Sequence, residues 1–343
     1  MYKGDNMSEK TTNNISIADY FADLKSRRTK LDDINMMINW KPVETRLKKV
    51  LKRAENSVGK PAYPGLVMFK CLVLQRMYNL SDVELEEQLR DRFSFHRFVG
   101  LSITDEVPDS TTICRFRNEL LGEKLSEKLF KDILSQLLKK GELKTGVIVD
   151  ATVIESSRRP IKTFEILPSE NKDKQEEVVI NYSDDREAAW LKKGKKFFYG
   201  YKLHMGASPE SGFILGGHIT PANYSDTREL EGVLNDIPSS VTGRCFADKG
   251  YASKDNRMML RKYGFKDSIM SRASKGKALS YWEKVRNKCI IPIRSRIERI
   301  FGTFKRSRQF SRSRYVGQSK VEQEFFLVAL ASNLVRARNL YFS

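Results

Sequence analysis

The spacing of apolar residues divides the chain into a helical part and a part in which strands and helices alternate. From Ile15 to about residue 140, apolar side chains recur every three or four positions, the period of helices with one buried face. Helix start signals precede the apolar runs at Ser16, Pro42, Pro64, Ser81 and Asp109. Residues 56–61 are read as a linker. We therefore predict a helical or flexible N-terminal region over residues 1–59 and an all-helical domain over residues 60–143.

The period changes at Gly146, where short runs of β-branched and aromatic residues begin. Strands are predicted over Val147–Asp150, Phe197–Met205, Phe213–Ile219, Arg244–Ala247 and Ser268–Met270. Helices are predicted over 226–234, Lys254–Tyr263, Arg294–Arg306 and Val321–Leu340. Residues 165–187 are rich in charged groups and are expected to form a mobile insertion. This order predicts an α/β domain over residues 144–343, a ribonuclease-H-like mixed sheet with flanking helices and a polar insertion around 160–195.

Charge is distributed unevenly along the chain. Lys and Arg outnumber Asp and Glu by 62 to 43, and the stretch 257–320 carries nineteen of these cations against three acids. Such a concentration points to nucleic acid as the partner and, less directly, to an anionic membrane. No apolar run approaches the roughly 18 residues that a membrane span needs, and residues 1–14 lack the apolar core of a signal peptide, so we expect a cytoplasmic protein. The four Cys residues form no CxxC pair, which indicates reduced thiols.

Three carboxylates stand where the predicted fold would gather them. Asp150 and Asp248 end two strands that such a sheet makes neighbours, and Glu298 lies on the basic helix that follows. Taken singly, a strand-end Asp is more often a turn residue, and a Glu in a basic helix is more often an ion-pair partner. Crowded carboxylates repel one another unless cations neutralise them, and Mg²⁺ or Mn²⁺ takes oxygen ligands. The sequence therefore predicts a catalytic site that holds two such ions for phosphoryl transfer on DNA.

Two further pairs of residues are candidates for contacts with DNA. Arg115 and Arg117 lie off the apolar stripe of a short capped helix, which indicates either a helix-turn-helix recognition element or a plain helical bundle. Lys249 and Tyr251 follow Asp248 and either position DNA or form a strand-to-helix turn. Ordinary packing, surface or capping roles are favoured for four other residues: His204, His218, Trp190 and Asp226.

Five motifs resemble those of DDE-type transposases of bacterial insertion sequences, most closely the family named after insertion sequence five. They are Val-Asp150-Ala-Thr, Gly200-Tyr-Lys-Leu-His204, Pro221-Ala-Asn-Tyr-Ser-Asp226, Ala-Asp248-Lys-Gly-Tyr251 and Arg294-x3-Glu298-x6-Lys305. The stretch from Pro64 to Leu120 looks like the N-terminal domain of this family, so the resemblance spans nearly the whole chain. It implies that Asp150, Asp248 and Glu298 form the metal-binding triad and that Arg294 and Lys305 contact phosphates at the element's ends.

The resemblance also implies an activity. A protein of this kind binds the terminal inverted repeats, hydrolyses one strand at each end and joins the exposed 3′-hydroxyl to target DNA, as a homodimer or larger assembly on the bacterial nucleoid. One position departs from the family pattern, since Ile291 stands where a Tyr often precedes the Arg of the last motif. Two alternatives stay open: a nuclease or junction resolvase that cuts without joining, and a catalytically silent DNA-binding protein. The complete triad favours an enzyme.

Overall fold

The computed structural model of the chain describes residues 28–51, 62–102, 104–122, 124–140, 146–160, 162–167, 177–182, 185–274 and 276–342. The helix start predicted at Ser16 and the linker predicted over residues 56–61 lie outside these ranges. Both boundaries of the predicted helical domain, near residues 60 and 143, lie outside them as well. The proposed division into domains therefore stays a prediction.

The described chain before residue 141 is helical. Its helices are α1 (Lys30–Met37), α2 (Lys41–Val50), α3 (Gly65–Tyr78), α4 (Asp82–Asp91), α5 (Phe93–Val99), α6 (Ser110–Leu121) and α7 (Leu125–Lys140). Two of the predicted caps are confirmed: Ser81 and Glu84 form a reciprocal capping box, and Asp109 accepts a 2.6 Å hydrogen bond from the Thr112 amide. α4 ends at Asp91 and α5 begins at Phe93, because Arg92 between them adopts an extended conformation.

The second part of the chain builds a mixed sheet with helices around it. Its strands are β1 (Val147–Glu155), β2 (Lys162–Leu167), β3 (Glu177–Tyr182), β4 (Ala189–Lys193), β5 (Lys196–Ala207), β6 (Ile214–Pro221), β7 (Gly243–Ala247) and β8 (Phe265–Ile269). Its helices are α8 (Leu230–Asp236), α9 (Lys254–Lys262), α10 (Tyr281–Arg294), α11 (Arg296–Arg306) and α12 (Gln318–Tyr341). Strands β6, β5 and β1 are antiparallel, whereas β1, β7 and β8 are parallel, which confirms the ribonuclease-H-like fold.

The parallel pairing of β1 with β7 sets the two strand-associated acids side by side. The paired residues are Val147 with Cys245, Ile148 with Phe246 and Val149 with Ala247. Asp150 and Asp248 are the next residues on each strand. Gly146 precedes the pairing with a φ of 83°, and a Cβ there would collide with the carbonyl of Arg244, so glycine permits the close approach. Asp150 does not end its strand as predicted, because β1 stays paired with β5 through Glu155.

The polar insertion contains strands that its composition does not predict. β2 and β3 pair antiparallel as a separate two-stranded sheet, from Lys162 opposite Tyr182 to Leu167 opposite Glu177. β4 joins the main sheet beside the first half of β5. The physical reason lies in local runs such as Val178-Val179-Ile180, whose β-branched residues favour strands despite the charged surroundings. The composition therefore did not predict these strands, and the mobility of the insertion stays a prediction.

Helix α12 joins the sheet to the N-terminal helices. The apolar pattern predicts only that this helix packs on the sheet, and it does contact β6. It also packs on α3 and α7, so the buried apolar residues form one continuous core across both parts of the described chain. None of the helices in the described ranges is long and apolar enough to cross a lipid bilayer.

A buried ion pair crosses the same boundary. Arg76 of α3 lies 2.8 Å from Glu324 of α12, and both side chains are 1% exposed. Glu324 also accepts a hydrogen bond from the Arg314 amide, and Arg76 donates one to the Tyr315 hydroxyl. Burial raises the pKa of Glu324, and the neighbouring guanidinium opposes that rise. Neither charge can be removed alone without leaving the other unpaired in an apolar region.

We expect Arg76→Met to lower the free energy of unfolding by about 3 to 5 kcal/mol, because it strands the Glu324 carboxylate in the core. The combination Arg76→Met with Glu324→Leu should recover most of that loss, since it removes both charges. The matched control is Arg90→Met, which breaks an exposed pair with Glu86 and should cost less than about 1 kcal/mol. Chemical denaturation measures all three, and equal losses for Arg76→Met and Arg90→Met would contradict the burial argument.

Candidate active site

The edge of the sheet where β1 and β7 part carries two of the predicted catalytic carboxylates. One oxygen of Asp150 accepts a 2.8 Å hydrogen bond from the Ala151 amide. Asp248 caps the short 3₁₀ turn Lys249–Tyr251 and accepts a hydrogen bond from the Lys249 amide. The side chain of Asp150 is only 19% exposed, so its carboxylate lies largely out of water.

Helices α10 and α11 bring the third carboxylate to the same edge. The sequence predicts a helix from Arg294 to Arg306, and α11 covers all of it except its first two residues. α10 was not predicted; it ends at Arg294, shortly after Pro292, which donates no backbone hydrogen bond. The predicted apolar stripe of α11 is buried: Ile297, Ile300, Phe301 and Phe304. Burial of that stripe orients the opposite side of α11 outward, and the Glu298 side chain is 61% exposed.

Arg294 connects two of the predicted catalytic carboxylates. Its Nη1 lies 3.0 Å from Asp150 Oδ2, and its Nη2 lies 3.0 Å from Glu298 Oε1. The predicted pairing of Arg294 with Glu298, four residues later, is therefore present. The guanidinium places the two carboxylates on either side of one positive charge.

The carboxyl group of Asp150 has a strongly shifted proton affinity. Burial raises its pKa to about 6, and the negative charges of Asp248 and Asp226 act in the same direction. The hydrogen bond from Ala151 and the charge of Arg294 oppose the rise without cancelling it. The loss of hydration at Asp150 therefore outweighs the stabilisation that Arg294 gives to its charged form.

Lys202 is a residue of this region that sequence reasoning missed. Its side chain is largely buried, and its ammonium lies 2.9 Å from Asp226 and donates to the Tyr224 carbonyl at 2.6 Å. The signal was a lysine inside the apolar strand β5, within a motif already noted. Asp226 is therefore neither a free acid nor a helix cap, because no capping hydrogen bond is formed there and Lys202 holds its carboxylate.

The three predicted catalytic carboxylates supply the donor atoms that a divalent cation prefers, but they do not lie close enough together to bind one as they stand. Within the described ranges, no three His, Cys, Asp or Glu side chains lie close enough together to hold a metal ion. Asp150, Asp248 and Glu298 nevertheless supply only oxygen donors, as hard cations require. Burial, with a smaller contribution from Asp248 and Asp226, raises the pKa of Asp150, and a divalent cation beside this carboxylate would favour its charged form.

Three of the cations predicted to contact DNA are at least partly accessible: Lys305, Lys249 and Arg115. Lys305, in the last turn of α11, is half-buried near Lys193 and Glu155, and burial lowers its pKa. Lys249 follows Asp248 and is exposed. Arg115 is exposed on α6, as predicted from its position off the apolar stripe.

Two predicted DNA contacts are wrong. Arg117 is 5% exposed and donates to Asp82 at 3.0 Å, with its guanidinium 5.2 Å from the centre of the Tyr315 ring, so it is a buried structural cation. Tyr251 is 1% exposed, so it does not face DNA. Its hydroxyl has no hydrogen-bond partner among the described residues, and burial raises its pKa, with Asp226 and Asp150 adding to the effect.

The remaining candidates have the ordinary roles that the sequence favours. The His204 and His218 rings stack at 5.3 Å, and His204 contacts the Thr220 hydroxyl while His218 contacts Glu229. Burial lowers the pKa of His204 to about 3, so this ring is neutral at physiological pH. Trp190 is a surface residue packed on Tyr199. All four Cys side chains are free, with Cys71 and Cys245 buried.

Comparisons with known proteins identify the family. Residues 141–334 match the family Transposase DDE domain, and residues 19–119 match the family Transposase domain (DUF772). Among solved structures, a piggyBac transposase synaptic complex with hairpin DNA is similar at 10% identity and a TM-score of 0.44, covering 92% of this chain and 76% of that one. A pre-cleavage Mos1 transpososome gives 10% identity and a TM-score of 0.21, with 94% and 96% covered.

The assignment rests on the sequence matches. The first match spans more than half of the 343 residues and includes every strand and the three predicted catalytic carboxylates. The chain therefore belongs to the transposase DDE domain family and is a DNA transposase that acts by the DDE mechanism.

Proposed function

We propose that this transposase serves a bacterial insertion sequence of the family named after insertion sequence five, and that Asp150, Asp248 and Glu298 are its catalytic triad. The main support is geometric. β1 and β7 hold two acids at adjacent positions, and Arg294 ties the third acid to Asp150. The enzyme binds the terminal inverted repeats, hydrolyses one strand at each end and joins the freed 3′-hydroxyl to target DNA.

A DDE transposase depends on a divalent metal, and we propose two Mg²⁺ or Mn²⁺ ions held by the three carboxylates. Such ions polarise the scissile phosphodiester, activate the attacking water or hydroxyl and stabilise the leaving oxygen. The chain's own contribution is placement. Asp150 is anchored by its own pairing with β5 and by the pairing of the preceding residues with β7, and Glu298 is anchored by the buried stripe of α11. These anchors fix the backbone from which the carboxylates would hold the metal ions.

Cations around the triad would hold the DNA backbone. Arg294 and Lys305 are proposed to contact phosphates at the element's end, and Lys249 to contact the strand beside Asp248. Arg294 has the clearest geometry, because its guanidinium already lies between Asp150 and Glu298 and therefore next to any phosphate that reaches them. Exposed Arg115 on the capped helix α6 supports a DNA-binding role for residues 60–143.

The proposed reaction also suggests an oligomeric state and a cellular location for the enzyme. Two element ends must be joined in one complex, so we propose at least a dimer when DNA is bound. The substrate places the enzyme on the nucleoid in the bacterial cytoplasm. A nuclease of the same fold that cuts without joining is the nearest alternative, and formation of strand-transfer product from pre-cleaved ends separates the two.

The proposed triad is tested by three isosteric variants, Asp150→Asn, Asp248→Asn and Glu298→Gln. Each should abolish cleavage of labelled duplexes that carry the terminal sequences, in Mg²⁺ or Mn²⁺, because each removes a charged oxygen ligand. Binding of the same duplexes should stay near wild type. Denaturing gels measure cleavage and joining, with Asp255→Asn, an exposed acid on α9, as the control. Full cleavage by any triad variant would exclude that residue.

The phosphate contact of Lys305 is tested by salt dependence. Lys305→Gln should reduce the slope of log affinity against log salt for end-sequence duplex by about 0.9, the value for one lost phosphate contact. Lys139→Gln removes the same charge from α7 and should leave the slope unchanged. Fluorescence anisotropy at several salt concentrations measures both, and identical slopes for the two variants would rule out the contact.

The buried charge of Asp150 predicts a stability effect that depends on pH. Its folded-state pKa of about 6 exceeds the ordinary value of 3.8, so ionisation costs folding free energy as the pH rises through this interval. Without metal at pH 7.5, Asp150→Asn should therefore be more stable than wild type, by up to about 3 kcal/mol.

The stability advantage of Asp150→Asn should vanish below about pH 4, because the Asp150 carboxyl of the wild type is then protonated in both the folded and the unfolded protein. Chemical denaturation across this pH range measures the effect. Glu87→Gln on the exposed side of α4 serves as the control and should show no such trend. A wild-type protein that is more stable than Asp150→Asn at pH 7.5 would contradict the electrostatic argument.

A further inference from the structure

The start of α10 carries two aromatic side chains that the fold does not bury. Tyr281 and Trp282 are 71% and 76% exposed, more than any other large hydrophobic residue in the described ranges. Their rings lie edge to face, with centroids 5.5 Å apart and planes at 75°. Adjacent exposed rings of this size contribute little to the core and leave apolar faces available to a ligand.

The surroundings of this ring pair are strongly basic. Four exposed cations lie along the same stretch of chain, and none forms an ion pair with an acid of the described part: Arg272, Lys277, Lys284 and Lys288. Lys284 and Lys288 follow Tyr281 by three and seven residues and share its side of α10. The acid of this stretch, Glu283, accepts a 2.8 Å hydrogen bond from the Ser280 amide as part of the helix cap.

We propose that Tyr281 and Trp282 form a stacking site for unpaired DNA bases, with the neighbouring lysines holding the adjacent phosphates. An aromatic ring stacks on the face of any base, and a basic groove with aromatic rings is the usual platform for single-stranded nucleic acid. In duplex DNA those faces are covered by the neighbouring bases. The site therefore selects nucleotides that have left the duplex.

The inference rests on the proposed function, since strand cleavage and joining create unpaired nucleotides. α10 rises about 1.5 Å per residue, so Trp282 lies about 18 Å along the helix from Arg294. This length corresponds to roughly five steps of about 3.4 Å along a DNA strand. A single strand of this length would therefore span the distance along α10 from Arg294 to the rings.

Charge distinguishes DNA from a second copy of this chain as the occupant. A second copy would bring the same four unpaired cations to the same surface, and like charges repel. A polyanion instead gains from each cation that it neutralises. The surface therefore fits a nucleic-acid strand.

The test measures binding of a short labelled oligothymidine, which has no duplex form, to the full-length protein in EDTA. Trp282→Ala should weaken binding by about 5- to 100-fold, the range expected for one lost base stack. Trp190→Ala is the matched control, because Trp190 is also exposed and packs beside a Tyr, and it should bind like wild type. Oligothymidine should also quench wild-type tryptophan fluorescence, and Trp282→Phe should lose that quenching.

Wild-type affinity in Trp282→Ala, or full quenching in Trp282→Phe, would overturn the proposal. So would sedimentation of the DNA-free protein as a dimer that Trp282→Ala dissociates, because the rings would then be covered by a second copy. Unchanged melting temperatures would show that the variants are folded. The assay contains no metal and no cleavage step, so its failure leaves the triad test intact, and failure of the triad test leaves this result intact.

Discussion

The parallel register between β1 and β7 is the constraint on which the active site depends. It ends at Val149 and Ala247, so the next residue on each strand, Asp150 and Asp248, must leave the paired region at one edge. Gly146 makes this approach sterically feasible at the other end of the pairing. A shift of one residue would turn either acid to the opposite face of the sheet, because side chains alternate along a strand. The relative placement of the two carboxylates proposed as catalytic is thus a consequence of backbone pairing.

This placement has an electrostatic cost that shapes the basic part of the chain. Asp150 is held out of water near other acids. Burial and repulsion from those acids both disfavour the charged form of its carboxyl group. Arg294 offsets part of that cost by contacting Asp150 and Glu298 together. The positive charge of residues 257–320 thus has two uses: some cations stabilise anionic side chains of the protein, and others stay unpaired and face the solvent, where a DNA backbone would meet them.

Much of the fold was predictable because its signals are local. The β-branched run before Asp150 and the apolar run before Asp248 mark their strands, and the spacing of three and four on α11 marks its buried face. Arg117 and Tyr251 were mispredicted because burial of a polar group depends on partners far away in sequence. Arg117 is satisfied by Asp82, 35 residues earlier, which no pattern around Arg117 reveals. The exposure of Trp282 likewise depends on the tertiary fold, because no distant part of the described chain covers its ring.

The misassigned Arg117 belongs to the contacts that hold the two parts of the molecule together. Its guanidinium lies over the Tyr315 ring, whose hydroxyl accepts a hydrogen bond from Arg76, and Arg76 pairs with Glu324 on α12. Buried polar groups of this kind tolerate few alternative arrangements, since each displacement would leave a charge unpaired. Together with the continuous apolar core, they fix α6 relative to the sheet. DNA held by the exposed side of α6 would therefore lie at a set distance from the carboxylates, so that binding itself aligns the strand for cleavage.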